Sequence, residues 1–206
     1  IPQLPVREVQ DRIAGILSAY DDLIENNARR IQILEQVAHD LYEEWFVHFR
    51  FPGHDAERYS VDKLPANWSI KSLGELARQH RKSVDPSEVP PNTPYVGLEH
   101  IPRKSIALTD WGNAGEVNST KLMFERGNIL FGKIRPYFHK VVVAPIDGVA
   151  SSDAIVIEPH DPKYFATVLL VVSSENFVAH ATQTSQGTKM PRANWDILTQ
   201  YPVVIP

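Results

Sequence analysis

The sequence predicts an α+β protein, with a long coiled-coil-forming helix over residues 1–52 and a globular mixed α/β domain over 53–206. Three observations carry that expectation. Apolar residues in the first 50 positions recur in alternating steps of four and three. Beyond Phe51-Pro52-Gly53 this period gives way to short β-branched runs bounded by Gly, Pro or Asp, and after residue 160 two helical stripes interrupt the strands.

The helical seam runs through Ile13, Leu17, Tyr20, Ile24, Asn27, Ile31, Leu34, Ala38, Leu41 and Trp45. With no Pro and no further Gly after Gly15, a heptad held this long predicts one stiff amphipathic helix whose stripe needs another helix to cover it. Roughly 40 residues at the α-helical rise make a rod of about 60 Å. Nothing later in the chain matches that length, so the expected partner is a second copy or a different protein. Asn27 is the polar member near the midpoint. It pins the register if buried, or lies in water at the seam edge beside Asn26. Pro2 and Pro5 precede the helix, Glu8 and Asp11 suit the positive end of its dipole, and Phe51-Pro52-Gly53 stops it.

The roughly 150 residues that follow suffice for one self-supporting core. No apolar run approaches the roughly 20 residues of a membrane span, and no basic-then-apolar segment opens the chain, so the expected compartment is the cytoplasm. The absence of cysteine excludes disulfides and thiolate metal sites. The sequons at Asn67 and Asn118 carry no weight without secretion. A start at Ile1 rather than Met reads as a piece of a longer chain.

A formal net charge of −4 argues at first against nucleic acid, but its distribution changes the argument. Residues 1–50 hold 5 Lys and Arg against 9 Asp and Glu, and the remainder holds 16 against 16. The acid is therefore on the rod. Within the neutral part, Lys121, Arg126, Lys133, Arg135 and Lys140 face only Glu125 across residues 121–140, and Lys189 with Arg192 form a second basic pair. Such stretches either track a phosphate backbone or form an ordinary solvated face.

Along the second part, 64–68 opens the domain, Trp68, Ile70 and Leu73 supply an apolar entry, and 74–79 suits a helical turn. Residues 80–94, rich in Pro and charge, read as an exposed loop. Strands are expected at 95–98, 128–133, 141–144, 154–157 and 201–205, and helices at 162–173 and 176–182. Trp45, Trp68 and Trp195 read as packing residues.

Several catalytic motifs nearly form. Gly127 to Ile134 has the Gly and Lys spacing of a phosphate-binding loop, yet Ile134 stands where a hydroxyl must hold magnesium and Pro136 where a helix must start. Asn92-Thr93-Pro94-Tyr95 approaches an amino-methyltransferase signature with Thr93 in place of the first Pro, and no methyl-donor glycine loop accompanies it. His39-Asp40 and His54-Asp55 lack the paired spacing of a metal centre. Ser151-Ser152-Asp153 has no nucleophile elbow and suits a turn between strands. No catalytic residue and no metal ligand is assigned.

Taken in order, other pieces of the sequence carry a resemblance. Residues 1–5, 9–13, 21–27, 38–41 and Trp45-Phe46 resemble the long spacer-helix region of type I restriction-modification specificity subunits. Leu64-Pro65 to Trp68, Leu73-Gly74, Tyr95 to Ile101, Gly127 to Tyr137 with Lys140, Ser151-Ser152-Asp153 and Gly187 to Trp195 resemble their target recognition domain. The resemblance implies a spacer and dimerisation helix over 1–52 and a target recognition domain over 53–206. It further implies one repeat of a two-repeat subunit: either the second half of a longer chain, or a half-length subunit that dimerises.

Under that resemblance the chain performs no chemistry. It reads one half of a bipartite target in double-stranded DNA and docks modification subunits that methylate adenine from S-adenosylmethionine. Where present, restriction subunits use ATP and Mg2+. No cofactor is expected on this chain itself. The residues expected on DNA are Lys133, Arg135, His139 and Lys140, the turn at Ser151 and Ser152, and Thr188, Lys189, Arg192 and Asn194. For Arg135 the alternative is an internal scaffold role, and the loops 81–92 and 111–118 are further unranked readers. Two other classes stay open: the specificity portion of a fused restriction-methylation enzyme, and a helical assembly module that ignores DNA.

Overall fold

The computed structural model describes residues 4–53, 59–61 and 63–206, so the His54-Asp55 pair lies outside the described residues. The chain divides into two compact units, residues up to Ala38 and residues His39–Pro206. The expected division at 52/53 thus falls earlier, inside the helix. The cause is aromatic: Tyr42 packs on the domain core, and Phe46 and Phe51 bracket Trp68 at ring-centroid distances of 5.4 and 5.0 Å.

The first helix, α1, spans Arg7–Tyr42. A π-helical turn, Glu43–Val47, follows it, with the His48 N–H donating to the Glu43 carbonyl at 2.8 Å. A π turn holds an extra residue and rotates whatever follows it. Trp45, expected to end the seam, therefore lies outside the heptad phase and is half-buried. Within the first unit the apolar stripe is open to solvent, with Leu17 59% and Leu34 68% exposed. It is also broader than the expected seam. Val9, Ile16 and Leu23 at seven-residue spacing, and Val37 two heptads further on with Arg30 between, lie beside the seam, and these four apolar residues are exposed as well, so the apolar face spans about three positions in most heptads.

In the second unit, β1 (Ser69–Ser72) pairs antiparallel with the last strand β11 (Pro202–Ile205). A short helix α2 (Leu73–Leu76) follows β1, its first turn held by a capping box between Ser72 and Glu75. The central sheet has the order β2-β10-β7-β8, formed by Ala77–Gln79, Ala154–Pro159, Ile129–Gly132 and Val141–Val143. A second sheet, in the order β3-β6-β9-β4-β5, comprises Ser83–Val84, Lys121–Phe124, Gly148–Ala150, Pro94–Val96 and Gly112–Asn113. Its β4–β9 pair is parallel and the other pairs are antiparallel. Helices α3 (Phe165–Val172), α4 (Glu175–Gln183) and α5 (Trp195–Leu198) complete the domain.

Strands β7, β8 and β10 of the central sheet are buried on both faces over most of their length, which explains why they read as apolar runs. Successive side chains point to opposite sides. Ile129 and Phe131, with Ile155 and Ile157, face a core shared with α3 and α4. Leu130, Val142 and Val156 face a second core with Val96, Phe124 and Ala150 of the other sheet. Each such aliphatic or aromatic side chain gains about 1.5–3 kcal/mol from leaving water. At Gly148 the packing tolerates no side chain, because a Cβ there would meet the Pro94 carbonyl oxygen at 2.5 Å and the Phe124 ring at 2.8 Å.

All five expected strands are present within a few residues, and the two expected helices correspond to α3 and α4. The expected turn at 74–79 is instead the end of α2 running into β2, and the expected loop at 80–94 contains β3 and a 3-10 turn, Pro86–Glu88. Gly127 to Ile134 forms a turn at Gly127, with φ +90, and then β7, not a phosphate-binding loop. No single helix among the described residues is long and apolar enough to cross a membrane.

Strand β2 is tied to β10 by a two-pronged ion pair between Arg78 and Glu158, both contacts 3.0 Å. The Arg78 hydrogen bond holds the Glu158 carboxyl below the usual carboxylate range, and His80 at 3.6 Å adds to this. A pKa lower in the folded than in the unfolded chain means stability that is present above the ordinary carboxylate range and lost as pH falls through the lowered value. Glu158→Gln should therefore unfold at lower urea than the parent at neutral pH, and the difference should vanish in acid. A constant difference across that range would remove this pair from the acid response.

Candidate nucleic-acid interface

Strand β7 ends at Gly132, and the next three residues, 133–135, are fixed by backbone bonds to two other segments. The Lys133 N–H donates to the Asp153 carbonyl at 2.9 Å, while the Lys133 carbonyl accepts from Ala193 at 2.8 Å. The Arg135 N–H donates to the Pro191 carbonyl at 2.7 Å. The hairpin 186–192 closes through reciprocal Gln186 and Arg192 backbone bonds of 3.0 and 2.8 Å, with Gly187 at φ +98 where it turns. Most residues expected on DNA, though spread over positions 133 to 194, are thereby brought to neighbouring segments.

Two concavities occupy this region. The first, about 330 Å³, is lined by Gln79, Arg81, Lys133, Gln186, Arg192 and Asn194 over a floor of Ile155, Ala193 and Trp195. Its cations are lightly engaged. Arg81 contacts exposed Asp196 at 3.3 Å and Gln79 at 2.9 Å, and Arg192 stands 3.9 Å from Asp153. Thr188 and Lys189 are exposed on the hairpin beside it. Cations and amides on a floor of buried apolar residues offer the donor types that phosphates and base edges accept.

The second concavity, about 310 Å³, is lined by Leu98, Glu99, Arg103, Ile134, Arg135, Phe138, Lys140 and Met190. Arg135 begins the 3-10 turn Pro136–Phe138 in the left-handed region at φ 49, and its buried Nε has no hydrogen-bond partner. Lys140 donates to the Leu98 carbonyl, and its pKa is lowered, first by burial and then by the nearby Arg103 charge.

Besides Lys140, three of the expected residues are engaged in the fold itself. His139 is only 7% exposed, and its Nε2 lies 2.8 Å from the Ser173 carbonyl, so it packs the turn inward rather than facing outward. The Asn194 side chain accepts from the Asp196 N–H at 3.0 Å and caps α5, although the residue is exposed. Ser151 accepts from the Asp153 N–H at 3.2 Å in the turn between β9 and β10, and Ser152 is exposed at its tip. Arg81, Gln79, Gln186 and Arg103 were not singled out from sequence. Arg81 opens the loop 81–92 flagged there as an unranked reader, whereas nothing local marks Arg103, whose ring partner Phe138 is distant in sequence. Among the described residues no group of three or more His, Asp or Glu converges as a metal site.

No protein-family model matches the chain. The Type I restriction enzyme MjaIX specificity subunit of Methanocaldococcus jannaschii is 26% identical over 98% of this chain and 49% of its own length. The EcoDI specificity subunit of Escherichia coli is 29% identical over 71% of this chain and 33% of its own length. The chain thus spans about half the length, or less, of these curated relatives. Among solved structures, the HsdS subunit from Thermoanaerobacter tengcongensis aligns over 70% of this chain and 39% of its own, with TM-score 0.54 and 21% identity. A structure describing complex assembly and conformational transition of the type I R-M system aligns over the same shares, with TM-score 0.57 and 20% identity. The sequence relatives of this chain are type I restriction enzyme specificity subunits, and its fold is that of the solved HsdS subunit.

Proposed function

We propose that the chain is a DNA-reading portion of a type I restriction-modification specificity subunit, without catalysis of its own. The observation that carries the reading is the assembly of Lys133, Arg192 and Arg81 around one cleft from segments far apart in sequence, with Lys189 exposed on the hairpin that carries Arg192. Cations on such a surface position a duplex through its phosphates, and the amides among them reach base edges. Net acidity does not oppose this, because the excess acid lies on the helix and the domain is neutral overall.

In this reading the exposed stripe of α1 is the assembly element, covered by a second long helix from another repeat or another copy. A helix of this length places two such domains about two turns of duplex apart, since one turn is about 34 Å. Modification subunits, and restriction subunits where present, dock on the assembled rod and supply the S-adenosylmethionine and ATP chemistry. One domain then reads one half of a split target.

Salt-dependent binding tests it. The chain should bind a mixed-sequence duplex at low salt, with affinity falling steeply as salt rises. Lys189→Ala should weaken binding to all sequences about equally and reduce the slope of log affinity against log salt by about one. Unaltered affinity and slope would take Lys189 off the interface. A chain that ignores duplex at low salt while still joining partner helices is an assembly module instead.

A further inference from the structure

The second concavity holds charge in an arrangement that the fold does not explain. Arg103, Arg135 and Lys140 converge there, and none of them forms an ion pair with a described carboxylate; Glu99, on the same rim, lies 3.9 Å from His100 instead. The Arg103 guanidinium stacks on the Phe138 ring at 4.1 Å, and that of Arg135 stands 5.9 Å from the same ring. Stacking engages the flat face of a guanidinium and leaves its in-plane N–H donors unused. The Arg135 Nε is buried with no partner, so its loss of water is left uncompensated. Lys140 feels burial and then the Arg103 charge, which together outweigh the opposing pull of the Glu99 carboxylate.

Three like charges beside an orphaned donor are unfavourable by themselves and become favourable when an anion enters. The backbone around the pocket is fixed by a tertiary hydrogen bond. Lys104, Arg135 and His139 all adopt left-handed φ, and the Lys104 N–H donates to the His139 carbonyl at 2.9 Å, fixing the segment that carries Arg103 to the turn that carries Phe138. Non-glycine residues in that region of φ persist only where their surroundings enforce it.

The geometry points to a phosphate-group site, formed by Arg103, Arg135 and Lys140 against the Phe138 ring. A single phosphoryl group fits the charge, with Glu99 at the rim leaving the pocket a net positive charge. It also fits the donors, since guanidinium forks match its oxygens. Two sources present this chemistry: an internucleotide phosphate of a bound duplex, in which case the site deepens the reading above, or a free phosphate or nucleotide.

The test follows the arginine Nε–Hε resonances of the full chain by NMR during titration, first with inorganic phosphate and then with a mixed-sequence 20-base-pair duplex. Inorganic phosphate should move the Arg135 Nε–Hε signal, and Arg103→Ala should weaken that response about tenfold. If the duplex moves the same signal, and Arg103→Ala weakens duplex binding about tenfold while lowering the salt slope by about one, the phosphate comes from nucleic acid. A response to inorganic phosphate alone supports the site and assigns it to a free phosphoryl compound. That holds even for a chain that binds no duplex, an outcome that removes the DNA reading and leaves this one standing. Absence of any Arg135 response to either probe, or identical responses in Arg103→Ala, overturns the proposal. Because Arg103 is exposed, Arg103→Ala should keep the parent's backbone spectrum outside the pocket.

Discussion

Leu17→Asp combined with Leu34→Asp should reduce association through α1 by at least about a hundredfold while leaving residues 39–206 folded. Both leucines are well over half exposed in the chain itself, so the substitutions remove little packing within it. Against a covering helix the situation inverts. Each Asp would be buried without a counter-charge, at a cost of several kcal/mol, and each 1.4 kcal/mol is a factor of ten in affinity. The width of the stripe strengthens the expectation, because Ile16 and Leu23 flank the seam and would draw the partner over these positions. Sedimentation of the parent and variant, alone and with modification subunits, provides the measurement. A double variant whose mass in solution matches the parent's under conditions where the parent associates would show that this face is not the assembly surface.

The second large effect lies in the core. Phe131→Ala should destabilise the domain by about 3–5 kcal/mol, the usual range for emptying a buried phenyl site. Phe131 is 1% exposed, sits on β7 between β10 and β8, and meets Phe177 edge-on at 5.7 Å. Phe177 in turn packs edge-on against Tyr201 at 5.0 Å, so the cavity would open beneath both α4 and the segment leading into β11. A domain of ordinary stability, about 5–15 kcal/mol, would lose a large part of it. Urea unfolding should show an earlier midpoint with little change in slope. Tyr137→Ala, at a ring 50% exposed on the neighbouring turn, is the control and should shift the midpoint far less. Equal shifts for the two would mean that the central sheet is not the principal source of stability.

The elements legible in the sequence were those that carry their signal locally. The heptads of α1, the β-branched runs of β7, β8 and β10, and the apolar stripes of α3 and α4 each state a period within a dozen residues. Strands β1, β2, β3, β5, β6 and β9 are not legible in the sequence, because each is no longer than four residues and depends on its neighbours for pairing. The π turn after α1 was hidden for a related reason. Trp45 continues the apolar spacing of the heptad, and only the backbone shows that the helix has changed its winding.

The site divided along the same line. Lys133, Lys189 and Arg192 stand out as local basic stretches, and the fold brings Lys133 and Arg192 to one cleft with Lys189 exposed on the adjoining hairpin. His139 looked like their equal in sequence, yet a left-handed turn directs its ring toward Ser173. Arg103 had no local signal at all and acquires its neighbours through the turn that brings Phe138 beneath it.

Sequence alone determined that this chain carries a long helix with an uncovered apolar stripe, and that its excess acid lies there while the rest is neutral, because periodicity and charge are properties of neighbouring residues. Tertiary structure decided which cations share a surface and which polar groups turn inward. Those outcomes depend on hydrogen bonds between segments such as 133–135 and 191–193, whose closure no local pattern encodes.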